Sequence, residues 1–397
     1  MLTLPAVLSE EFMHQIPNLL QNPHVTISTA AQIVYYNILF QGMMLADIGP
    51  FPGRQAYSKY LYLRALSLVE AWTSSSTPTI LDFSAALLMM WMAFEFLDTN
   101  LGWKFLSRSY QIGLALHLHE PSANTSPAET ALWWHVRQND IIFQQQFSKP
   151  PIIPPGTWNT PEPVMNPVAA DEICFYIGMK TTDLLSNHLA TSPQTVEDGI
   201  RAHLAEWQLQ ERFDTTTEPW QKWVYADTLF NTHTTFQLLH PRDSTGTNPT
   251  ARKAARDSVH LLKIMTEGYP LHSHWNMGFV SYYPFISFFT LFYGVVEGVE
   301  GALVDLELMR WVAGILEVWE RERVELRPLE KIAKALTRVA ESIVEVRGEE
   351  EVRWDGAMGA DGTGGWEDFL EDPGKYARVL ELELFQKDPH EDWWDGI

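Results

Sequence analysis

Apolar residues recur at helical spacing along most of the chain. Residues 28–47 and 55–73 carry wide apolar stripes, and residues 80–97 are apolar on nearly every side, which is typical of a central buried helix. The same periodicity predicts further helices over 102–117, 168–189, 194–213, 219–240, 250–267, 278–297, 303–322 and 328–346. Strand-like alternation is confined to a short run at 379–384. These patterns predict an all-α fold, a multi-helical bundle with an acidic C-terminal tail.

Capping residues mark the starts of several helices. Ser126 and Glu129 stand three residues apart, with a proline at the first helical position, which is the spacing of a capping box. A cap followed by proline recurs at Ser192 and at Asn248. The sequence therefore predicts helices that begin at these three points.

Two segments interrupt the helical pattern. Residues 148–167 hold seven of the chain's 24 prolines and cannot remain helical for long, so we expect an extended crossover on the surface. Residues 355–366 are rich in glycine but lack the spacing of a nucleotide or calcium loop, which favours a flexible linker. We therefore divide the chain into a helical domain, 1–347, and a linker with an acidic, aromatic tail, 348–397.

One uncharged stretch, from Trp275 to Val296, is long enough to span a bilayer. It contains Asn276 and Pro284, and no cluster of lysine or arginine flanks it to set a topology, so a core helix is the favoured interpretation. The first residues have no basic start followed by an apolar run. We expect neither a secretory signal nor a membrane partner.

Charge and cysteine content exclude several classes of protein. The net charge of −22 repels phosphate, so we expect no direct nucleic-acid binding. The single cysteine, Cys174, cannot form an intramolecular disulfide or a zinc cluster; it fits a reducing compartment, and its apolar neighbours indicate a buried small hydrophobe. The basic residues Arg252, Lys253 and Arg256 lie near Asp257, which indicates an ordinary solvated helix face.

Side chains that could carry chemistry do not assemble into a recognisable motif. Two His-x-His pairs occur, His117 with His119 and His272 with His274, but residues two apart on a helix point about 200° away from each other. No nucleophile elbow, paired Cys and His, or zinc-protease motif is present in the sequence. We therefore predict no catalytic, cofactor-binding or metal-binding residue, no cofactor and no enzyme activity.

Three short motifs follow one another in the first half of the chain. A helix ends in Ala-Leu-His-Leu-His at 115–119, the next helix carries Trp133, Trp134 and Asp140, and a Ser-Lys-Pro-Pro turn follows at 148–151. Together these motifs resemble the middle homology region of fungal-specific transcription factors.

Patterns similar to later parts of that region recur in the same order, at 223–242, 251–265 and 278–297, so the resemblance covers residues 26–346. It implies an all-helical regulatory domain in a nuclear regulator of transcription. Such proteins usually carry an N-terminal six-cysteine zinc cluster that reads DNA, and this sequence departs from that pattern completely. The chain also begins close to the homology region. We therefore expect either a regulator without a DNA-binding module or a truncated form of a full regulator.

The resemblance implies a transcription regulator, of a metabolic or biosynthetic gene cluster, that contacts other regulators or coactivators in the nucleus. A small-molecule effector is compatible with this role. The alternative is a helical small-molecule-binding or scaffold protein, including an enzyme of a biosynthetic pathway. A polar pocket with strongly shifted titratable groups would favour the alternative, and a plainly packed core would favour the regulator.

The motif residues also have a packing interpretation. Trp133 and Trp134 are adjacent and so point about 100° apart on a helix, which buries both only if a wide face is covered. Asp140 is expected to act as a cap or to pair with Arg108 or Arg137.

The tail carries half of the net charge of the chain. Residues 349–397 contain 15 Asp/Glu and 4 Lys/Arg, a net charge of −11, with aromatic residues interleaved among the acids. These aromatics include Trp366, Phe369, Trp393 and Trp394. The pattern suits an activation segment that folds on a coactivator, a terminal helix docked over 373–386, or a solvated tail, and the sequence leaves the three open.

Overall fold

The structure, a computed structural model, describes residues 10–45, 53–74, 78–120, 126–154, 156–158, 160–163, 167–186, 191–242, 246–269, 273–281, 283 and 285–354. Helices make up most of these residues, and this part of the chain contains no β-strand, which confirms the all-α prediction. The glycine-rich segment 355–366 and the aromatic tail, with its predicted helix at 373–386, lie outside the described residues.

The first half of the chain forms a group of helices around one apolar centre. They are α1 (Glu10–Gln21), α2 (Thr29–Leu45), α3 (Arg54–Leu66), α4 (Val69–Thr73), α5 (Ile80–Glu95), α6 (Thr99–Ala115) and α7 (Pro127–Phe147). The central helix is α5, which packs on α2 and α6 and is buried on almost every side, as its apolar sequence predicts. The core around it combines methionines with aromatic rings, among them Phe83, Met90 and Phe143.

The second half of the chain forms another group of helices with its own core. They are α8 (Ala170–Ser186), α9 (Pro193–Glu206), α10 (Leu209–Thr215), α11 (Pro219–Leu239), α12 (Pro249–Gly268), α13 (Ser273–Ser281), α14 (Ile286–Glu297), α15 (Ala302–Glu320) and α16 (Arg327–Trp354). Helix α11 packs on α8, α10 and α12, while α14 and α15 each contact α12 and α16. Leu291, Leu316 and Trp319 lie fully buried in this core.

Packing and polar contacts join the two halves. Helix α7 packs on α8, and α13 packs on α2 and α5. Arg323, in the turn before α16, donates to the backbone carbonyl of Glu95 at the end of α5, and its Nη1 atom lies 3.4 Å from a Glu95 carboxylate oxygen. Gln146 of α7 donates to Asn231 of α11 at 2.8 Å. The halves therefore share both a packed boundary and a largely buried ion pair.

Three predicted helices are each divided into two. The segment 55–73 becomes α3 and α4, and 194–213 becomes α9 and α10, where Gln208 has a left-handed φ of 50°. The segment 278–297 overlaps α13 and α14, and the sequence between them contains Pro284, which has no amide hydrogen to continue a helix. Helix α1 was not predicted at all.

The predicted helix starts are confirmed. The Ser126 Oγ atom accepts from the Glu129 amide at 3.2 Å, and the Glu129 carboxylate accepts from the Ser126 amide at 2.8 Å, which closes a reciprocal capping box. Ser192 and Asn248 cap α9 and α12 through their side-chain oxygens.

Two further boundaries differ from the sequence pattern. The uncharged stretch from Trp275 to Val296 is divided between α13 and α14, and none of the helices in the described ranges is both long and apolar enough to cross a membrane. Helix α16 continues to Trp354, beyond the expected end of the helical domain at 347.

Candidate functional site

The two tryptophans of the sequence motif lie side by side on α7 beneath the proline-rich crossover. Trp133 and Trp134 are only 1% and 2% exposed. The Trp133 indole N–H donates to Thr160 Oγ1 at 3.1 Å, and the Trp134 indole N–H donates to the Pro161 carbonyl at 2.9 Å. The Trp158 ring stacks on Trp133, with centroids 5.4 Å apart. A wide face of α7 is thus covered, as the burial of adjacent tryptophans requires.

The crossover is packed more deeply than a surface segment. Ile152 and Ile153 pack against the core of the first half, and Thr160 is buried. The Thr160 hydroxyl also donates to the His119 carbonyl at 3.2 Å, which ties the end of α6 to the same segment. The expectation of a crossover that merely lies on the surface is therefore corrected. Buried indole N–H groups need acceptors, and the crossover supplies them.

Asp140 fixes the start of the crossover. The residue is 2% exposed, and its carboxylate accepts from the amides of Ile152 at 2.9 Å and Ile153 at 3.1 Å. Burial raises the pKa of Asp140 above its ordinary value, and the two amides oppose the rise. Of the two expected roles, capping of backbone amides is the one observed, and Arg137 pairs with Asp183 instead. The carboxylate accepts from two backbone amides of the crossover. These amides lie outside any helix and therefore need an acceptor.

Arg137 has a different partner. Its guanidinium lies 5.2 Å from the ring centroid of Trp134 and 4.9 Å from that of Trp158, and it pairs with Asp183 of α8 at 2.9 Å. Burial lowers the pKa of Arg137 and raises that of Asp183, so the pair is partly removed from water. Arg137 therefore links α7, the crossover and α8. We call the arrangement of Trp133, Trp134, Asp140 and Thr160 the motif unit.

A second polar arrangement lies in the other half of the molecule, on α11. Asp227 is half-buried, and its carboxylate accepts from the Tyr283 hydroxyl at 2.7 Å. Burial raises the pKa of Asp227 to about 6, although the hydrogen bond from Tyr283 opposes the rise. A carboxylate that keeps some solvent access and titrates near pH 6 can take up a proton or accept a cation near neutral pH.

Aromatic rings extend from this carboxylate along α11 and α13. The Phe230 ring contacts the rings of Tyr283 and Phe279, in both cases with centroids 5.2 Å apart, and Trp223 lies 6.0 Å from Phe279. Asp227 stands four residues after Trp223 and three before Phe230, so the three share one face of α11. The carboxylate thus borders a cluster of buried rings, of which Phe230, Phe279 and Tyr283 are at most 8% exposed. Sequence reasoning missed it, because a single aspartate in an aromatic helix belongs to no motif.

Cys174 lies on α8 and faces α11. Its thiol is half-buried, lies 3.6 Å from the Val224 carbonyl oxygen and packs against the second core. Burial raises the pKa of Cys174 to about 12, so the reactive thiolate is scarcely populated at neutral pH. The cysteine therefore serves as an apolar packing group, although its burial is partial rather than complete.

Of the two histidine pairs, the structure describes the side chains of His117 and His119. His117 and His119 stack at the end of α6 with ring centroids 6.0 Å apart, and both lie within 4.0 Å of Glu120. Across the described ranges, no group of three or more His, Cys, Asp or Glu side chains is placed to hold a metal ion. The side chains of His272 and His274 lie outside the described part of the chain.

Two other histidines are held neutral by burial. Burial lowers the pKa of His135 well below its ordinary value, and it lowers the pKa of His233 to about 4. The His135 ring lies against Phe175, with centroids 4.4 Å apart. The charge of Asp257 offsets part of the effect at His233. His135 lies on α7 in the first half, whereas His233 shares α11 with Asp227, so the second half holds two groups on one helix whose pKa values are shifted by burial.

The basic residues near Asp257 are divided between surface and core. Lys253 pairs with Asp257 at 2.5 Å on the solvated face, as predicted. Arg252 and Arg256 instead reach Asp305 of α15, each at 2.5 Å, and Asp305 is fully buried. The prediction of an ordinary solvated face is therefore wrong for the two arginines. They stand one turn apart and face α15 rather than water.

In comparisons with known proteins, no family model matches this sequence, and no curated protein or solved structure matches it. The function is therefore argued from the residues themselves and from the resemblance of their motifs. Two arrangements bear on it, the motif unit in the first half and the pair of Asp227 with Tyr283 in the second.

Proposed function

We propose that the chain is a transcription regulator of the fungal-specific transcription factor type, which acts through protein contacts without its own DNA-binding module. The observation that supports this proposal is the motif unit. The turn after α6, the tryptophans and aspartate of α7, and the crossover that follows are joined by direct hydrogen bonds. Motifs that depend on one another in space support a family resemblance more strongly than the same residues scattered along a chain.

Charge favours protein partners over DNA. The chain has a net charge of −22, and a duplex is bound mainly through several Lys or Arg contacts to its phosphates. Arg252 and Arg256 are occupied by Asp305, and Arg137 is covered by two indole rings. Other regulators or coactivators in the nucleus are the partners that this charge distribution suits.

A reporter assay tests this role. The full chain is fused to an unrelated DNA-binding domain and expressed in a fungal host with a matching reporter gene. We expect the fusion to change reporter output, in either direction, relative to the DNA-binding domain alone. A surface variant, Asp257→Asn, serves as the matched control and should behave like the wild type. Reporter output equal to that of the DNA-binding domain alone, with the fusion present in the nucleus at normal abundance, would overturn the proposal.

A helical small-molecule-binding protein is the second candidate, and Asp227 favours it. The Asp227 carboxylate keeps some solvent access, and it can pair there with a small organic cation. The probe is tetramethylammonium, added to the full chain during thermal unfolding. A rise in the melting temperature that is lost in Asp227→Asn, but kept in the exposed control Asp198→Asn, would support binding. Identical responses in all three proteins would contradict it.

A further inference from the structure

Exposed aromatic residues line the outer side of α3. Tyr57 and Tyr60 are 46% and 51% exposed, and their rings stack with centroids 6.0 Å apart. Leu63 follows three residues later and is 41% exposed. Large apolar side chains at spacings of three residues lie on one side of a helix. They form a continuous apolar stripe of the kind that marks an interaction site.

The stripe continues onto α2. Tyr35 and Tyr36 lie on this helix with ring centroids 5.8 Å apart, and Tyr57 is close enough to Tyr35 to help raise its pKa. Arg64, beside Leu63 on α3, lies 5.9 Å from the ring centroid of Tyr36. We call the surface formed by Tyr35, Tyr36, Tyr57, Tyr60 and Leu63 the tyrosine face.

The two helices that carry the tyrosine face contain no acid of their own. Helix α2 contains no charged residue, and α3 contains Arg54, Lys59 and Arg64 without any acid. Acids of the turn before α16 face the N-terminal end of α3, where Arg54 lies. The Arg64 guanidinium, 5.9 Å from the ring centroid of Tyr36, is therefore the positive charge that lies next to these rings.

We propose that the end of the chain's own tail, residues 391–395, docks on the tyrosine face. This segment reads Glu-Asp-Trp-Trp-Asp, two adjacent indoles with acids on both sides, and it lies outside the described residues. Indole rings stack on tyrosine rings, and the flanking carboxylates complement the Arg64 guanidinium. Each contact is weak alone, but attachment to the same chain gives the tail a millimolar effective concentration at the face.

The length of the chain allows this contact. Helix α16 has 28 residues and is therefore about 42 Å long, and the turn that precedes it contacts Gln55 at the start of α3. A return over that distance takes about 13 residues at about 3.3 Å for each extended residue. The chain continues for 43 residues after Trp354. Trp393 and Trp394 therefore reach the tyrosine face with slack.

Other occupants fit the tyrosine face less well. A second copy of the face would bring the Arg64 guanidinium against its own equivalent. A nucleic acid needs several Lys or Arg contacts to its phosphates, and the face offers Arg64 for this purpose. The tail of a second copy has the same chemistry as the chain's own tail, so the experiment must separate the two. The docking does not depend on the transcriptional role.

Disulfide trapping in the full chain tests the docking. The native Cys174 competes poorly because burial raises its pKa to about 12. One new cysteine is Ala56→Cys, at an exposed position one turn before Tyr60, and the other is Gly396→Cys in the tail. The matched control pair keeps Gly396→Cys and replaces Ala56→Cys with Leu303→Cys, on α15, where the native leucine is 64% exposed.

Mild oxidation of dilute protein should distinguish the two pairs. We expect the Ala56→Cys pair to form a bridge within one chain at least about tenfold faster than the control pair, because docking raises the local concentration of the tail. Adding Trp393→Ala with Trp394→Ala should remove most of this advantage. Salt at about 1 M should weaken the charge contribution and slow the bridge further.

Two results would overturn the docking. The first is an equal rate for the Ala56→Cys and Leu303→Cys pairs. The second is a bridge that forms only between chains, at a rate that rises with protein concentration, since the occupant would then be the tail of a second copy. The readout is a covalent bridge rather than reporter output. A negative result in this experiment therefore contradicts the docking but not the proposed function.

Discussion

The two halves of the bundle bury polar side chains by different means. Around α5 in the first half, fully buried polar residues such as Asn37 and Ser109 are neutral, and each donates to a backbone carbonyl of its own helix. Around α12 in the second half, Arg252 and Arg256 meet the fully buried Asp305. The core around α5 therefore depends on the fit of rigid neutral groups, and the core around α12 on charges that must stay paired. The buried Asp140 of the first half lies on α7, where backbone amides rather than an arginine stabilise it.

Removal of the buried carboxylate in the second half should have the largest effect. Asp305→Asn keeps the shape of the side chain but leaves Arg252 and Arg256 without their counter-charge. We expect a loss of about 3–5 kcal/mol in the free energy of unfolding, measured by urea denaturation. The matched control Asp257→Asn breaks a pair whose lysine side chain is 71% exposed, and should cost less than about 1 kcal/mol. Equal losses would show that the second half does not depend on buried charge.

A single added methyl group tests the fit of the first half. A Cβ atom at Gly113 would lie 2.3 Å from the Trp133 ring and 3.0 Å from the Phe83 ring, and both rings are fully buried. We therefore expect Gly113→Ala to cost about 3 kcal/mol in a thermal or urea unfolding experiment. At Gly42, also in a helix, a Cβ would meet nothing within 4 Å, so Gly42→Ala should gain up to about 1 kcal/mol. Similar changes in the free energy of unfolding at the two glycines would mean that the Trp133 and Phe83 rings move to accommodate the methyl group.

The second half should also respond to pH through two opposing groups on α11. The pKa of Asp227 is raised to about 6 from 3.8, so the folded chain holds more protons than the unfolded chain between these values. Its contribution to stability therefore falls as the pH rises through that window. The pKa of His233 is lowered to about 4 from 6.5, so the folded chain holds fewer protons there, and stability rises with pH.

When either group is substituted, the dependence of stability on pH should be set mainly by the group that remains. Between about pH 4 and pH 7, Asp227→Asn should gain about 2 kcal/mol relative to the wild type, with allowance for the partial solvent access of the carboxylate. His233→Gln should lose stability relative to the wild type over the same interval. Urea midpoints measured at several pH values give the three profiles. Parallel profiles would show that neither group changes its pKa on folding.

Local signals explain which parts of the fold could be predicted. The capping box of Ser126 and Glu129 lies within four residues, and the apolar sequence of α5 marks its central position directly. The sequence does not predict that the segment 194–213 divides at Gln208, because a glutamine gives no signal of a left-handed backbone. Pro284 is a visible signal, because a proline between α13 and α14 cannot continue a helix.

The polar arrangements could not be predicted because their partners are distant in sequence. Arg252 and Asp305 are 53 residues apart, and Asp227 and Tyr283 are 56 apart. A helix spacing shows which side a residue occupies, but not whether another helix covers that side. The same reason applies to Asp140. The sequence predicts that it acts as a cap, but it does not show that the amides of Ile152 and Ile153 are its partners.

The smallest effect is expected at the helix caps, which also differ between the halves. Ser126 belongs to a reciprocal box, whereas Ser192 accepts from the Thr195 amide at 3.1 Å and has no acid at position 195 to return the bond. Ser126→Ala removes an acceptor for the Glu129 amide and a donor to the Glu129 carboxylate, so it should cost about 1 kcal/mol, and Ser192→Ala about half as much. Ser126→Thr keeps the hydroxyl and should stay close to the wild type in the same thermal unfolding experiment. If Ser192→Ala costs as much as Ser126→Ala, the returning carboxylate adds nothing, and the contrast between the halves is confined to their cores.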